Sequence, residues 1–248
     1  MDRMLAATAA AEDTHYWFRG LRRNAELLIS GAQTERRATQ IIDCGAGTGR
    51  NLDWLSRFGA AVGVELTPLA ISVGRSKGRR LVRGTVTALP FPSESAGLVT
   101  SFDVLYCLDD ESERRALQEM WRVLTPGGLA LINAAALDIL RGSHSTLTHE
   151  VRRYTKARLR GRLESAGFRV ERLTYTNMTL FPPALAIRGV ERLTGRAAEP
   201  SEQDLSVPPA PVNTLLDICL NIESMWLSKL NLPIGTSVMA LARKPARS

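Results

Sequence analysis

The stretch Ile41-Ile42-Asp43-Cys44-Gly45-Ala46-Gly47-Thr48-Gly49-Arg50 decides the reading of this chain. Two β-branched residues and an acid run into three alternating glycines. Leu52, Leu55 and Phe58 then recur at helical spacing. The pattern is strand, tight turn, helix. Glycine is needed where a backbone turns sharply or a ligand approaches it closely. The helix behind such a turn presents free N–H groups and the positive end of its dipole. The glycine spacing separates ligand classes. A dinucleotide fingerprint requires G-x-G-x-x-G, but here Arg50 holds the sixth position and the third glycine, Gly49, comes one residue early. The Gly-Lys-Ser/Thr ending of a P-loop is missing too. What stands is D-x-G-x-G-x-G. Downstream, Ala61-Val62-Gly63-Val64 reads as a second strand ending at Glu65. An acid at that distance, at a strand's carboxyl end, is placed to accept hydrogen bonds from ribose hydroxyls.

On these residues the sequence resembles the class I S-adenosylmethionine-dependent methyltransferases, especially their small-molecule, ubiquinone-methyltransferase-like group. Two more stretches carry the likeness: the fourth strand and its exit, Leu98 to Leu108, and the Leu124-Thr125-Pro126-Gly127-Gly128 junction before strand five. The match spans about residues 40–175 and returns at the last strand, Ser237 to Arg243. The resemblance implies an α/β, doubly wound, Rossmann-like sheet of seven strands in the order 3-2-1-4-5-7-6, with strand seven antiparallel. It implies S-adenosyl-L-methionine as cofactor and S-adenosyl-L-homocysteine as product. The cofactor would meet Asp43, Gly45, Ala46, Gly47, Gly49, Glu65, Leu66, Thr85, Val86 and Phe102, under a cap carrying Tyr16, Trp17 and Arg19. Aromatic faces attract a sulfonium cation, and Arg19 would meet the carboxylate. The plainer alternative is that Trp17 and Phe18 staple the helix to the core.

The sequence departs from the family in two places. The usual Gly-Asp-Ala-Glu-x-Leu-Pro-Phe segment has Thr85 where an aspartate receives the adenine amino group. A hydroxyl can still accept that bond, with backbone groups at Thr85 and Val86 assisting. The usual Glu-His-Leu exit of strand four is Tyr106-Cys107-Leu108, which removes one common acid–base candidate.

The chain is expected to be a single methyltransferase domain over 1–248, with an N-terminal helical cap at 1–36 and a helical insertion at 177–234. Its 248 residues suffice for one sizeable core. No apolar run approaches the ~20 residues of a membrane span, and the N-terminus lacks a signal peptide's apolar core. A cytoplasmic location is expected. The formal charge is +7, but the cations are spread out and mostly arginine, without the aromatic-interleaved stripe of a nucleic-acid binder. A small-molecule acceptor is therefore expected, with no nucleic acid. The insertion's apolar helices would cap the acceptor pocket, form a dimer face or rest on a lipid surface, so the protein is read as a monomer or homodimer. Cysteines at 44, 107 and 219 and histidines at 15, 144 and 149 make no metal pattern.

Asp138, Arg141, His144, His149, Glu150, Arg152, Arg153 and Tyr154 crowd the segment after strand five. A polar loop there overlies the mouth of the sheet. His149, His144, Tyr154 and Tyr106 are the candidates to position or deprotonate the acceptor; anchoring of the lid by Arg153 and Tyr154 is the alternative. The expected reaction is methyl transfer to an O, N or C nucleophile of a small molecule, such as a specialised metabolite, a sugar or a lipid-like compound. Three other readings stay open: a nucleic-acid methyltransferase, a non-catalytic cofactor-binding module, and non-methylating chemistry such as cyclisation.

Overall fold

The computed structural model describes residues 9, 11–32, 38–142, 150–194 and 207–246. Helix α1 (Tyr16–Ala32) leads into β1 (Ala38–Cys44), and after the glycine turn comes α2 (Arg50–Leu55). Then follow β2 (Gly59–Glu65), α3 (Pro68–Ser76), β3 (Leu81–Arg83) and β4 (Ala96–Phe102). The next elements are α4 (Asp110–Val123), β5 (Leu124–Ala135), α5 (Lys156–Ser165) and β6 (Arg169–Thr176). Last come α6 (Phe181–Thr194), α7 (Ala210–Leu227) and β7 (Ser237–Arg243).

The sheet runs β3-β2-β1-β4-β5-β7-β6, as expected. The pairs from β3 to β5 are parallel, and β7 lies antiparallel to both β5 and β6. The central strands are continuous apolar runs because both of their faces are covered. Ile42, Val64, Val99 and Ile132 pack on one face with Leu117 and Met120 of α4 and Leu159 and Leu163 of α5. Ile41, Leu98, Leu131 and Leu241 pack on the other with Leu21, Ala25, Leu28 and Ile29 of α1.

Caps and turns follow local chemistry, with two differences from expectation. Asp109 and Thr155 cap α4 and α5, accepting from the N–H groups of Ser112 and Arg158. Thr67 precedes Pro68 as an N-cap should, yet its hydroxyl makes no capping bond; the Thr67 N–H is taken by Glu65 instead. The Pro-Gly-Gly junction is part of β5, with Gly127 at φ 82° bending the strand. There Gly127 donates to the Lys244 carbonyl and Gly128 accepts from the Lys244 N–H. Both insertion helices form between β6 and β7.

Candidate active site

The site is assembled at the carboxyl ends of β1, β2 and β4. Gly45, Gly47 and Gly49 all have positive φ, at 75°, 55° and 76°. A side chain on Gly45 would come within 2.3 Å of Val104 Cγ2, so the turn after β1 is pressed against the exit of β4. A Cβ on Gly47 would meet nothing within 4 Å. Of these three positions, Gly47 is thus the one that faces open space, and its glycine leaves room for a ligand against the backbone.

Glu65 completes this cradle. Its Oε2 accepts the Gly47 N–H at 2.9 Å, while Oε1 accepts the N–H groups of Leu66 at 2.9 Å and Thr67 at 2.8 Å. Three backbone donors fix the carboxylate, whose remaining lone pairs can receive ribose hydroxyls. Leu66 beside it is 62% exposed, an apolar surface next to the carboxylate. Asp43 is buried under the turn. Its Oδ1 accepts the Thr100 hydroxyl at 2.7 Å, and its Oδ2 has no partner. Burial pushes the Asp43 carboxyl up to about 7, against the opposing pull of the Thr100 hydrogen bond. Gly84 donates to the Glu65 carbonyl, which brings the β3 exit alongside. The Thr85 hydroxyl is 2.9 Å from that of Thr87 in a tight turn, and Val86 is buried in the core. The Val86 side chain is thus committed to the core, while the Thr85 hydroxyl is engaged within its own turn.

The N-terminal segment reaches the same turn by a route absent from the sequence reading. Buried Glu12 accepts the Thr48 hydroxyl at 2.7 Å, and Asp13 pairs with Arg50. Arg79 donates to both the carbonyl and the hydroxyl of Thr48. Residues between and after the glycines are therefore clasped by the segment that precedes α1.

Several expected site residues are engaged elsewhere. Arg19 pairs with Asp217 of α7 at 2.7 Å, so the carboxylate it meets belongs to this chain. Trp17 packs against the core, and the Tyr16 ring stacks on His15 at 4.4 Å between centroids. Trp17 packs as in the stapling alternative, while the Tyr16 ring is engaged by His15. The Phe102 ring is buried beside Trp54, 6.2 Å away, leaving its backbone at the β4 exit. Ala46 is buried, its N–H donating to the Val64 carbonyl. Tyr154 is a correction to the catalytic set. It is fully buried, and its hydroxyl donates to Glu113 Oε1 at 2.8 Å. Burial, then the Glu113 charge, drives its phenol well above the ordinary range. It anchors the segment after β5 to α4, whereas Arg153 pairs within that segment, with Glu150 at 2.7 Å. His144 and His149 lie outside the described residues.

Asp103 is a further candidate that the sequence did not single out. It leaves β4 at φ 59°, a left-handed conformation rare for residues with a side chain. Its N–H donates to the Asn133 carbonyl, and its Oδ1 accepts the Asn133 amide at 3.1 Å. Burial lifts its carboxyl to about 7. Its charge is felt by Tyr106 and Cys107, whose acidic groups are raised first by burial. Cys107 is pushed up to about 12 and so remains a thiol. The available signal was an acid standing alone in the apolar exit Phe102-Asp103-Val104-Leu105.

The comparisons with known proteins agree with this geometry. A family model described as a methyltransferase domain matches residues 42–132, from the glycine turn through β5. A ubiquinone/menaquinone biosynthesis C-methyltransferase of Photorhabdus laumondii is 28% identical over 202 residues, covering 64% of this chain and 77% of that one. The chain is a class I S-adenosylmethionine-dependent methyltransferase. Its likeness to other relatives is shorter: a malonyl-[acyl-carrier protein] O-methyltransferase of Coxiella burnetii is 33% identical over 109 residues, 43% of this chain and 37% of that one. In fold, the methyltransferase resembles one solved in complex with the Haloferax volcanii Trm112 activator, at TM-score 0.64 and 18% identity. That likeness covers 100% of this chain and 96% of the other. The methyltransferase uses S-adenosylmethionine as donor. The residues present fit that cofactor: an open face at Gly47 and a fixed carboxylate at Glu65. Among the described residues, no helix is long and apolar enough to cross a membrane.

Proposed function

We propose that the methyltransferase moves the donor's methyl group to an O, N or C nucleophile of a small acceptor held at the carboxyl ends of β4 and β5. The metabolite, sugar and lipid-like classes are all within reach of that reading. The observation that carries it is the cradle formed by the open Gly47 backbone and the Glu65 carboxylate. Bound S-adenosylmethionine supplies a methyl group already activated on sulfur. What the chain adds is positioning and exclusion of water. Glu65 and the Gly45–Gly49 turn hold the adenosyl end. Asp103, held by Asn133 at the exit of β4 where its neighbour Val104 packs on Gly45, takes the acceptor's proton on its carboxylate. Its position near 7 suits that task at neutral pH. Tyr106, a half-buried phenol beside it, remains protonated and donates a hydrogen bond to the acceptor.

The test is an isotope-transfer assay with methyl-labelled donor and fractionated cell extract. Label should accumulate in a low-molecular-weight product with the native protein and fail to do so with Glu65→Ala. Label recovered in nucleic acid, or a donor left intact with every fraction, would overturn the proposal.

A further inference from the structure

Helix α7 buries its charged residues and leaves a row of large apolar side chains in solvent. Asn213, Asp217, Glu223 and Ser224 point inward beside Leu220 and Leu227. Asn213 accepts the Tyr16 N–H at 3.0 Å, Asp217 pairs with Arg19 and Arg23, and the Ser224 hydroxyl donates to Asn24 at 2.7 Å. Glu223 accepts from the N–H and hydroxyl of Thr179. Most of its large apolar residues point outward. Leu215, Ile218, Ile222, Met225 and Trp226 recur at helical spacing, and each, like Leu230 just beyond, is more than half exposed. In water, a surface helix turns the opposite stripe inward. An apolar face of this size on a folded protein marks an interaction surface.

Charge says what covers it. Both acids of α7 are turned inward, Asp217 at 9% and Glu223 at 4% exposure, and the Asp217 charge is met by two arginines. The outward side carries no acid, and the charge at its end is Lys229, directly after Trp226, Leu227 and Ser228. The whole chain stands at +7. A protein–protein interface of ordinary size needs about one hydrogen bond per 100–200 Å², yet the outward face offers only short polar side chains, Thr214, Asn221 and Ser228, between its apolar ones. Polar contacts inside, bulky apolar side chains outside and a Trp-Lys end match a helix lying at a lipid–water boundary. We infer that the outward face of α7 docks on an anionic lipid bilayer as a peripheral contact. No helix among the described residues crosses one. The inference stands on α7 alone and is independent of the acceptor's identity.

The experiment is co-sedimentation of the full chain with vesicles of phosphatidylcholine alone and of equimolar phosphatidylcholine and phosphatidylglycerol. Light scattering of the protein without vesicles runs beside it. The expected result is a monomer that sediments with the anionic vesicles, with binding reduced about tenfold or more by Ile222→Glu and by Trp226→Ser. Both side chains are exposed, so both variants should keep the native circular dichroism and bind S-adenosylhomocysteine undiminished. No sedimentation with anionic vesicles, or binding that Ile222→Glu leaves unchanged, would overturn the inference. So would a dimer that Ile222→Glu splits, since a second copy would then own this face.

Discussion

Asp103 and Asp43 are two carboxylates whose environments push them to about 7, for different ends. With Asp103 as proton acceptor, kcat/KM should climb as pH rises through about 7 and then level. Asp103→Asn should lower kcat by roughly 10²–10⁴-fold and flatten that limb. His149→Ala should leave the limb in place; if the limb vanishes with the histidine instead, the proton goes there. Asp43 governs stability. Its folded position lies above the ordinary carboxylate range, so the folded state favours the protonated form. The stabilisation is present below about pH 4 and lost as pH rises through about 7. The protein without ligand should therefore melt at a lower temperature at pH 8 than at pH 5. Asp43→Asn should remove part of that slope, recovering a few kcal/mol at pH 8 by denaturant unfolding. An unchanged slope would show that Asp43 ionises freely.

At the scale of elements, legibility tracked sequence distance. The glycine turn and Glu65 could be read because their meaning lies in spacing within one βαβ unit: the Gly47 N–H donates to the Glu65 carboxylate. Arg19 could not be read, because its partner Asp217 lies on a helix almost two hundred residues on. A free arginine and a paired one look identical in sequence. Tyr154 looked catalytic for a similar reason. Nothing local reveals that Glu113 of α4, fully buried, waits for its hydroxyl together with the guanidinium of Arg152 at 2.8 Å. Tyr154→Phe should cost about 1–3 kcal/mol of stability, since it leaves a buried carboxylate short of a donor. Its kcat should change little at a temperature where the variant is folded. A large kcat loss with unchanged stability would return the tyrosine to the catalytic set. The inverted polarity of α7 was also hidden. Its composition is that of any amphipathic helix, and only its packing on α1 shows which face is inward.

Across the whole molecule, the sheet order and its antiparallel last strand were legible through the family resemblance carried by the glycine turn, the exit of β4 and the Pro-Gly-Gly junction, and the structure has that order. That topology sets the loops after β1, β2 and β4 side by side at one edge, where ligands of open α/β sheets bind. The N-terminal segment closes over this edge through Glu12, Thr48 and Arg79, and α7 ties the cap to the body. The most direct test of the cradle is calorimetric titration of S-adenosylhomocysteine, NAD and ATP into the native protein and into Gly47→Val. The account predicts one-to-one binding of S-adenosylhomocysteine alone, lost by at least about a hundredfold in the variant, whose β-branched side chain would fill the open face. Tight binding of NAD or ATP, or a Gly47→Val protein that binds S-adenosylhomocysteine as the native one does, would contradict it.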